Sequence, residues 1–397
     1  MNIKNNKVLT TLGFGLLFLV NIMACDAATL TATGLKPVVI LFHPSGKFAY
    51  AVNNQSKNIS QYRYESGELT PLANPVVGTG YDVTFGSSFD PTGKYLMVPA
   101  HGENKIYIYS FDPASGELTL IERKSTVFGT LQAQFSLDGK FVYILSIDSN
   151  QIYQYAFDSS NGRMTPLSPL SIKTGMNPTG VGLSNDGKYM YEISSNQNNT
   201  TRYTVDTENG QLTMNETYSV GNFPVYSNFD PSGAISLCVN YKSNSISVFT
   251  ADIASGKMDY ANPRSINAGA FPNSLPVYDK SGQYVYVANE QSNDISQYKL
   301  DLQNKTLIPL SPSRVKIKGI GADWLTISPD FKYVFVLNAA TNNIERFTIG
   351  TDGRLFDDFG QSAILPWGDS TNEATNGSNN PALLQRLKVF SSKWLHN

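Results

Sequence analysis

Residues 89–98 read Phe89-Asp90-Pro91-Thr92-Gly93-Lys94-Tyr95-Leu96-Met97-Val98, the pattern of a strand end, a tight turn and a second strand. Asp-Pro-x-Gly is a favoured turn sequence because proline presets φ and glycine tolerates positive φ. The residues after the turn are mostly aromatic and apolar, as in buried strands. The stretch therefore predicts a β-hairpin.

The same turn recurs with a regular period. It follows Phe42, Phe89, Phe135, Leu183, Phe229, Tyr278 and Ile327. Its glycines, spaced 46 to 49 residues apart, are Gly46, Gly93, Gly139, Gly187, Gly233 and Gly282. The seventh copy carries Phe331 in place of the glycine. A second turn phrase, Gly-x-Leu-Thr or a close variant, keeps the same period and begins at Gly67, Gly116, Gly162, Gly210, Gly256, Lys305 and Gly353.

This period, with four short strand-like runs in each unit, is typical of a β-propeller blade. In the unit around Gly282, the predicted strands are 274–278, 283–288, 295–300 and 307–310. One blade cannot bury both of its faces, so neighbouring blades must stack around an axis. The sequence predicts an all-β fold, a seven-bladed β-propeller of four-stranded antiparallel blades over residues 37–364, with a short C-terminal helix.

The N-terminal residues 1–25 have the features of a signal segment. Lys4 and Lys7 precede an apolar run of 13 residues, 8–20, which is too short to span a bilayer. Ile22-Met23-Ala24-Cys25 resembles a bacterial lipobox, although Met23 replaces the usual small residue. We expect export, either as a periplasmic or membrane-anchored lipoprotein lipidated at Cys25, or as a protein secreted after cleavage behind Ala27 or Ala28.

Composition narrows the function classes. The chain has 30 basic and 32 acidic residues, and no basic stripe indicates a nucleic-acid partner. The second of its two cysteines, Cys238, has no partner if Cys25 is lipidated or removed. We predict that Cys238 is a small buried apolar residue in a strand.

The C-terminal part differs in character from the repeats. Residues 368–380 are rich in Gly, Ser, Asn and Thr, which is typical of a flexible linker. In 381–397, Leu383, Leu387, Phe390 and Trp394 share one face of a predicted amphipathic helix. Two interpretations stay open: the helix packs on the propeller side, or it contacts a membrane or partner.

Both kinds of short turn lie on one rim of the predicted propeller, which we call the short-loop rim. The longer connections lie on the opposite, long-loop rim, and the channel mouth there is the expected ligand site. His101 is the one histidine on the long-loop rim, and Glu103 is close to it in sequence. Candidate catalytic residues are His101, Glu103 and Arg264, the last in a blade-linking loop. No residues have metal-ligand spacing, so we predict neither a metal site nor a cofactor.

The stretch Tyr284-Val285-Tyr286-Val287-Ala288-Asn289, with Asn293-Asp294-Ile295-Ser296-Gln297-Tyr298 and Leu307, resembles the lactonase-type seven-bladed propellers. That family includes propeller 6-phosphogluconolactonases and carboxymuconate cyclases and shades into YVTN repeat proteins. The resemblance covers 37–364 and implies activity on a lactone. The family carries a Pro-His stretch before the inner strand of blade two and a Pro-Arg-His stretch before that of blade five. Here 81–86 and 223–226 contain neither His nor Arg, and Asn240-Tyr241 replaces a glutamate that often follows the second strand of blade five.

Two hypotheses follow. The first is an exported, divergent lactonase, or a related hydrolase or cyclase, that uses loop carboxylates and basic residues on a lactone or sugar-acid lactone. The second is a non-catalytic propeller that binds a protein, glycan or small ligand at the cell envelope. Candidate ligand-binding residues are Asp82, Tyr226, Asn273 and Asp323. Because the family motifs are missing, we expect weak or no hydrolysis of 6-phosphogluconolactone, with ligand binding retained at the long-loop rim.

Overall fold

The computed structural model describes residues 30–357, and these form seven antiparallel sheets arranged as a closed ring. The predicted seven-bladed, all-β propeller is confirmed. One turn of 3-10 helix, His101–Glu103, is the single helical element in the described part of the chain. The signal segment 1–25, the linker 368–380 and the C-terminal helix 381–397 lie outside the described residues.

Each blade contains consecutive strands in sequence order. Blade one contains β2 (Pro37–Phe42), β3 (Phe48–Asn53), β4 (Asn58–Glu65) and β5 (Glu68–Gly78). Blade two contains β6 (Ser88–Phe89), β7 (Tyr95–Ala100), β8 (Lys105–Phe111) and β9 (Leu118–Ser125). Blade three contains β10 (Thr130–Phe135), β11 (Phe141–Ser146), β12 (Gln151–Asp158) and β13 (Arg163–Lys173). Blade four contains β14 (Pro178–Leu183), β15 (Tyr189–Ser194), β16 (Asn199–Val205) and β17 (Leu212–Ser219).

The remaining blades follow the same plan, apart from the closing edge. Blade five contains β18 (Pro224–Phe229), β19 (Ile235–Asn240), β20 (Ser245–Ala251) and β21 (Met258–Asn267). Blade six contains β22 (Val277–Tyr278), β23 (Tyr284–Asn289), β24 (Asp294–Asp301) and β25 (Thr306–Lys316). Blade seven contains β26 (Ala322–Ile327), β27 (Tyr333–Asn338), β28 (Asn343–Ile349) and the short β29 (Leu355–Phe356), and it also takes in β1 (Leu30–Ala32).

The strand β1 closes the ring. It pairs with β28 from Leu30–Glu345 to Ala32–Asn343, beside the two-residue strand β29. The outer edge of blade seven is therefore made from both ends of the described chain. The predicted boundary at residue 37 missed this strand, because three residues before the first repeat carry no repeat signal.

The inner strand of blade six is shorter than predicted, and that of blade two is equally short. In blade six only Val277–Tyr278 is a strand, whereas the prediction was 274–278. Between Pro272 and Asp279 this blade has one residue more than blade five has between Pro224 and Asp230. An extra residue interrupts the pairing ladder locally, as in a β-bulge.

The chemistry of the recurring turn is visible at Asp90. Its carboxylate accepts the backbone N–H of Tyr95 (2.7 Å) and that of Thr92 (3.1 Å), and Gly93 has φ of 74°. In blade one, His43 Nδ1 accepts the backbone N–H of Ser45 at 3.0 Å. The imidazole therefore occupies the position that the carboxylate occupies in blade two.

The second turn phrase joins neighbouring blades. Tyrosines in four second strands donate their hydroxyl to the carbonyl of the turn glycine in the next blade. These pairs are Tyr50–Gly116 (2.5 Å), Tyr143–Gly210 (3.0 Å), Tyr191–Gly256 (2.6 Å) and Tyr286–Gly353 (2.7 Å). The second strands are almost wholly buried, and Cys238 packs there with its thiol pKa raised to about 12 by burial. No helix within 30–357 is long and apolar enough to cross a membrane.

Candidate functional site

One loop geometry is repeated around the channel mouth on the long-loop rim. Ahead of each inner strand, by one residue in five blades and by six in blades two and six, lies a residue with φ between 53° and 77°: Lys36, Asp82, Gly129, Asn177, Phe223, Phe271 and Gly321. Its carbonyl accepts the backbone N–H of the residue that follows the second strand, which is Asn54, His101, Ile147, Ser195, Tyr241, Glu290 or Ala339. Because these bonds hold the two sets together, side chains distant in sequence meet at the mouth.

The first polar cluster is centred on His101. Its Nδ1 lies 3.1 Å from a carboxylate oxygen of Asp82, and its Nε2 lies 3.1 Å from one of Asp148. Burial lowers the pKa of His101, but the hydrogen bond to Asp82 and the charges of both carboxylates outweigh burial and raise the pKa above its usual value. The imidazole therefore favours the protonated form, with both ring nitrogens engaged, which is unsuited to a general base.

Glu103 stabilises the adjacent loop. Its carboxylate accepts the backbone N–H of Tyr81 at 2.7 Å and the hydroxyl of Tyr107 at 2.8 Å, and it pairs with Lys105 at 3.3 Å. The hydrogen bond from Tyr81, followed by those from Tyr107 and Lys105, outweighs partial burial and holds the pKa of Glu103 below its usual value. These contacts give Glu103 a positioning role in the loop that presents Asp82.

The second polar cluster joins blades five, six and seven. The side-chain amide of Asn273 donates to Asp323 at 2.7 Å and to Glu290 at 3.1 Å. The hydroxyl of Tyr241 donates to the same oxygen of Glu290 at 3.2 Å. The amide of Asn273 therefore holds two carboxylates together beside the channel. One of them, Glu290, is only 6% exposed. A buried carboxylate next to a ligand space is a group that can accept a proton from water.

Three aromatic side chains lie across the channel beneath the mouth. The ring centroid of Tyr226 is 5.2 Å from that of Phe85 and 5.4 Å from that of Trp324, and Phe85 and Trp324 are 6.3 Å apart. A cavity of about 90 Å³ on the mouth side borders Phe85 and Tyr226. A second cavity of about 270 Å³, lined by all three aromatic residues, follows the inner strands.

The structure brings most of the predicted site residues together and leaves one out. Asp82, His101, Tyr226, Asn273 and Asp323 all lie at or just below the mouth. Arg264 does not: it lies in the outermost strand β21, not in a linking loop, and its guanidinium stacks 3.5 Å from the ring centroid of Tyr260. Strand β21 extends to Asn267 because Ile246 still pairs with Ile266 beyond the Pro263 interruption.

Two residues of the site were missed from the sequence, Asp148 and Glu290. The signal for Glu290 was its register, since it holds the repeat position of His101 and Tyr241, one blade after the place where the family often carries a glutamate. Asp148 follows the same position in blade three. Within residues 30–357, no three His, Cys, Asp or Glu side chains are grouped so as to hold a metal ion.

Two solved structures share this fold at low sequence identity. A periplasmic gluconolactonase of Pseudomonas aeruginosa superposes with a TM-score of 0.60 at 17% identity, over 68% of this chain and 83% of its own. The hydrazine synthase of Kuenenia stuttgartiensis superposes with a TM-score of 0.62, also at 17% identity, over 80% of this chain and 97% of its own. Proteins of such different chemistry show only that the fold is shared.

Sequence comparison is more specific. A 6-phosphogluconolactonase of Formosa agariphila is 31% identical over 98 residues, and one of Bacillus subtilis is 30% identical over 101 residues. These alignments cover 23% and 24% of this chain and only 28% and 29% of the two enzymes. The family model described as lactonase, 7-bladed β-propeller, matches residues 27–176 and 87–271, more than half of the chain. With its blade pattern and its mouth on the long-loop rim, the chain belongs to this lactonase family of seven-bladed β-propellers.

Proposed function

We propose that the protein hydrolyses a lactone at the long-loop mouth, with carboxylates in place of the family's missing histidine and arginine. The observation that carries the proposal is the second polar cluster, in which Asn273 bridges Glu290 and Asp323 beside the mouth cavity. Family membership supports a lactone as the substrate class. The short 6-phosphogluconolactonase alignments support hydrolysis as the reaction.

In the proposed reaction, Glu290 accepts a proton from water while the water oxygen attacks the lactone carbonyl carbon. The carbon–oxygen bond of the ring then breaks, and the leaving alkoxide takes the proton from Glu290, giving a hydroxy acid and restoring the carboxylate. His101 stays outside the proton transfer, because both of its ring nitrogens already contact carboxylates.

The charge of the site argues against a phosphorylated substrate. The two clusters together contain four carboxylates, Asp82, Asp148, Glu290 and Asp323, and the imidazole of His101. A phosphate carries negative charge and is repelled by such a surface. We expect weak or no turnover of 6-phosphogluconolactone. A turnover of about 1 to 1,000 per second that His101→Ala abolishes would contradict this expectation and make His101 the base.

The test is a panel of lactones assayed with wild type and Glu290→Gln. If Glu290 is the base, the variant should lose roughly 100-fold or more in kcat. Glu122→Gln, which alters a carboxylate on the outermost strand β9, should keep wild-type rates. Equal rates for Glu290→Gln and wild type would remove Glu290 from the mechanism.

A second candidate function is non-catalytic binding of a small ligand, glycan or envelope protein at the same mouth. It is favoured by His101, because both ring nitrogens already contact carboxylates. Lactone binding in calorimetry without turnover of any lactone in the panel would support this function over hydrolysis.

We also propose that the protein is exported and tethered to a membrane through Cys25. The basic start and the apolar run of residues 1–25 support export. Cys25→Ser should abolish lipid labelling and move the protein to the soluble fraction. A soluble wild type whose N-terminus begins after Cys25 would contradict lipidation and indicate secretion.

A further inference from the structure

The cavity on the mouth side of the aromatic layer has apolar walls. Its main contributors are Phe85, Leu131, Ile147, Phe223, Val225 and Tyr226. Apart from Phe85, each is less than a tenth exposed. The polar side chains that border the cavity are engaged with neighbours: Thr179 donates to the carbonyl of Pro224 at 3.2 Å, and the amide of Asn177 donates to Ser195 at 2.6 Å.

The cavity lies between the two polar clusters. Ile147 forms one wall and directly precedes Asp148, which contacts His101. Asn273 forms the opposite wall, and its amide contacts Glu290 and Asp323. A molecule whose ring lies against either cluster can therefore extend a substituent into the apolar space.

We propose that the substrate is an uncharged lactone that carries an apolar substituent, and that the substituent fills this cavity while the ring lies against Asn273 and Glu290. This inference rests on the proposed function and names its substrate class. An apolar cavity of ~150 Å³ holds benzene, so about 90 Å³ accommodates a chain of about four carbon atoms. A hydroxyl or phosphate placed there would lose its hydrogen bonds to water without replacement.

The test is a series of γ-lactones with unbranched alkyl substituents of one to eight carbons, compared with glucono-δ-lactone and 6-phosphogluconolactone. Burial of each methylene should raise kcat/KM about three- to fourfold, up to about four carbons, with a plateau beyond. The two sugar lactones should be the poorest substrates. A profile independent of chain length, or sugar lactones hydrolysed as fast as the best alkyl lactone, would overturn the inference.

Two variants locate the substituent. Val225→Phe fills the cavity and should shift the preference to the unsubstituted lactone, whereas the same change at Val76, a 52% exposed residue of β5, should leave the profile unchanged. Leu131→Ala enlarges the cavity and should move the plateau to longer chains. It also serves as the test if Val225→Phe does not fold. An unchanged profile in a folded Val225→Phe or Leu131→Ala protein would place the substituent elsewhere and overturn the inference.

Different results would contradict the two proposals, lactone hydrolysis and the apolar substituent site. Absence of turnover with every lactone would contradict hydrolysis, and dissociation constants from calorimetry would then decide the inference. Affinity that rises with chain length in wild type and falls for long chains in Val225→Phe would support the apolar site. Affinity independent of chain length would overturn it.

Discussion

Glu192 makes stability depend on pH. It is fully buried in the second strand of blade four, where it accepts the hydroxyl of Ser194 at 2.6 Å. Burial raises its pKa from 4.5 to about 7, against the opposing effect of that hydrogen bond. Between pH 4.5 and 7 the folded state therefore holds a proton that the unfolded state releases, so the free energy of unfolding falls as pH rises.

We expect Glu192→Gln to remove this fall, which amounts to up to about 3 kcal/mol. The measurement is urea unfolding of wild type and variant at pH 5 and pH 8. Glu345, whose pKa burial also raises, contributes a fall of the same sign in both proteins, so the difference between them isolates Glu192. Parallel pH profiles would contradict the assignment, and exposed Glu208→Gln is the control.

Phe331 stores strain in the seventh turn. Its φ is 58°, whereas the six equivalent glycines have φ between 70° and 76°. A non-glycine residue pays a conformational penalty in this region, so Phe331→Gly should stabilise the protein by roughly 1 kcal/mol. The reverse change, Gly282→Ala at φ of 71°, should destabilise it. Denaturant midpoints of both variants test this, and a loss of stability in Phe331→Gly would mean that contacts of the ring outweigh the strain.

At the scale of strands and blades, four tyrosine hydroxyls make equivalent hydrogen bonds to the turn glycine of the next blade. Tyr286→Phe keeps the ring and removes only the bond to Gly353, so we expect a loss of about 1 kcal/mol. Tyr284→Phe is the matched control and should lose less, because the Tyr284 ring packs on Gly353 but its hydroxyl is outside this hydrogen bond. Thermal and urea unfolding of both variants would show the difference, and equal losses would argue against the inter-blade bond.

The blades could be predicted because each carries its own turn chemistry. The carboxylate of Asp90 and the glycine after it specify one hairpin, and the spacing of such hairpins specifies the ring. The same register explains why Asp82 and Asn273 lie at the mouth. Glu290 was missed because one of its partners, Tyr241, comes from the neighbouring blade. Which side chains meet between blades depends on the geometry of the ring, and the repeat spacing alone does not show it. The closing strand Leu30–Ala32 was missed because its three residues carry no repeat signal.

On the scale of the whole molecule, stability depends on the closing strand. The bond from Thr33 N–H to the carbonyl of Asn342 places Thr31 in a hydrogen-bonded pair with Ile344, because such pairs alternate along antiparallel strands. Thr31→Pro removes that donor and should cost at least about 1 kcal/mol. Leu30→Pro, whose N–H faces away from β28, should cost less. Unfolding midpoints that are equal for the two variants would contradict closure through this register.

The closing strand also has a consequence for the timing of folding during synthesis. Leu30 is among the first described residues to leave the ribosome, yet its partner Glu345 is made 315 residues later. At about 5 to 20 residues per second, that interval lasts roughly 15 to 60 seconds. Six blades can form before β28 of blade seven has been made and can pair with β1. Throughout that interval, the unpaired backbone groups of residues 30–32 offer a template to other extended segments, including those of a second nascent copy.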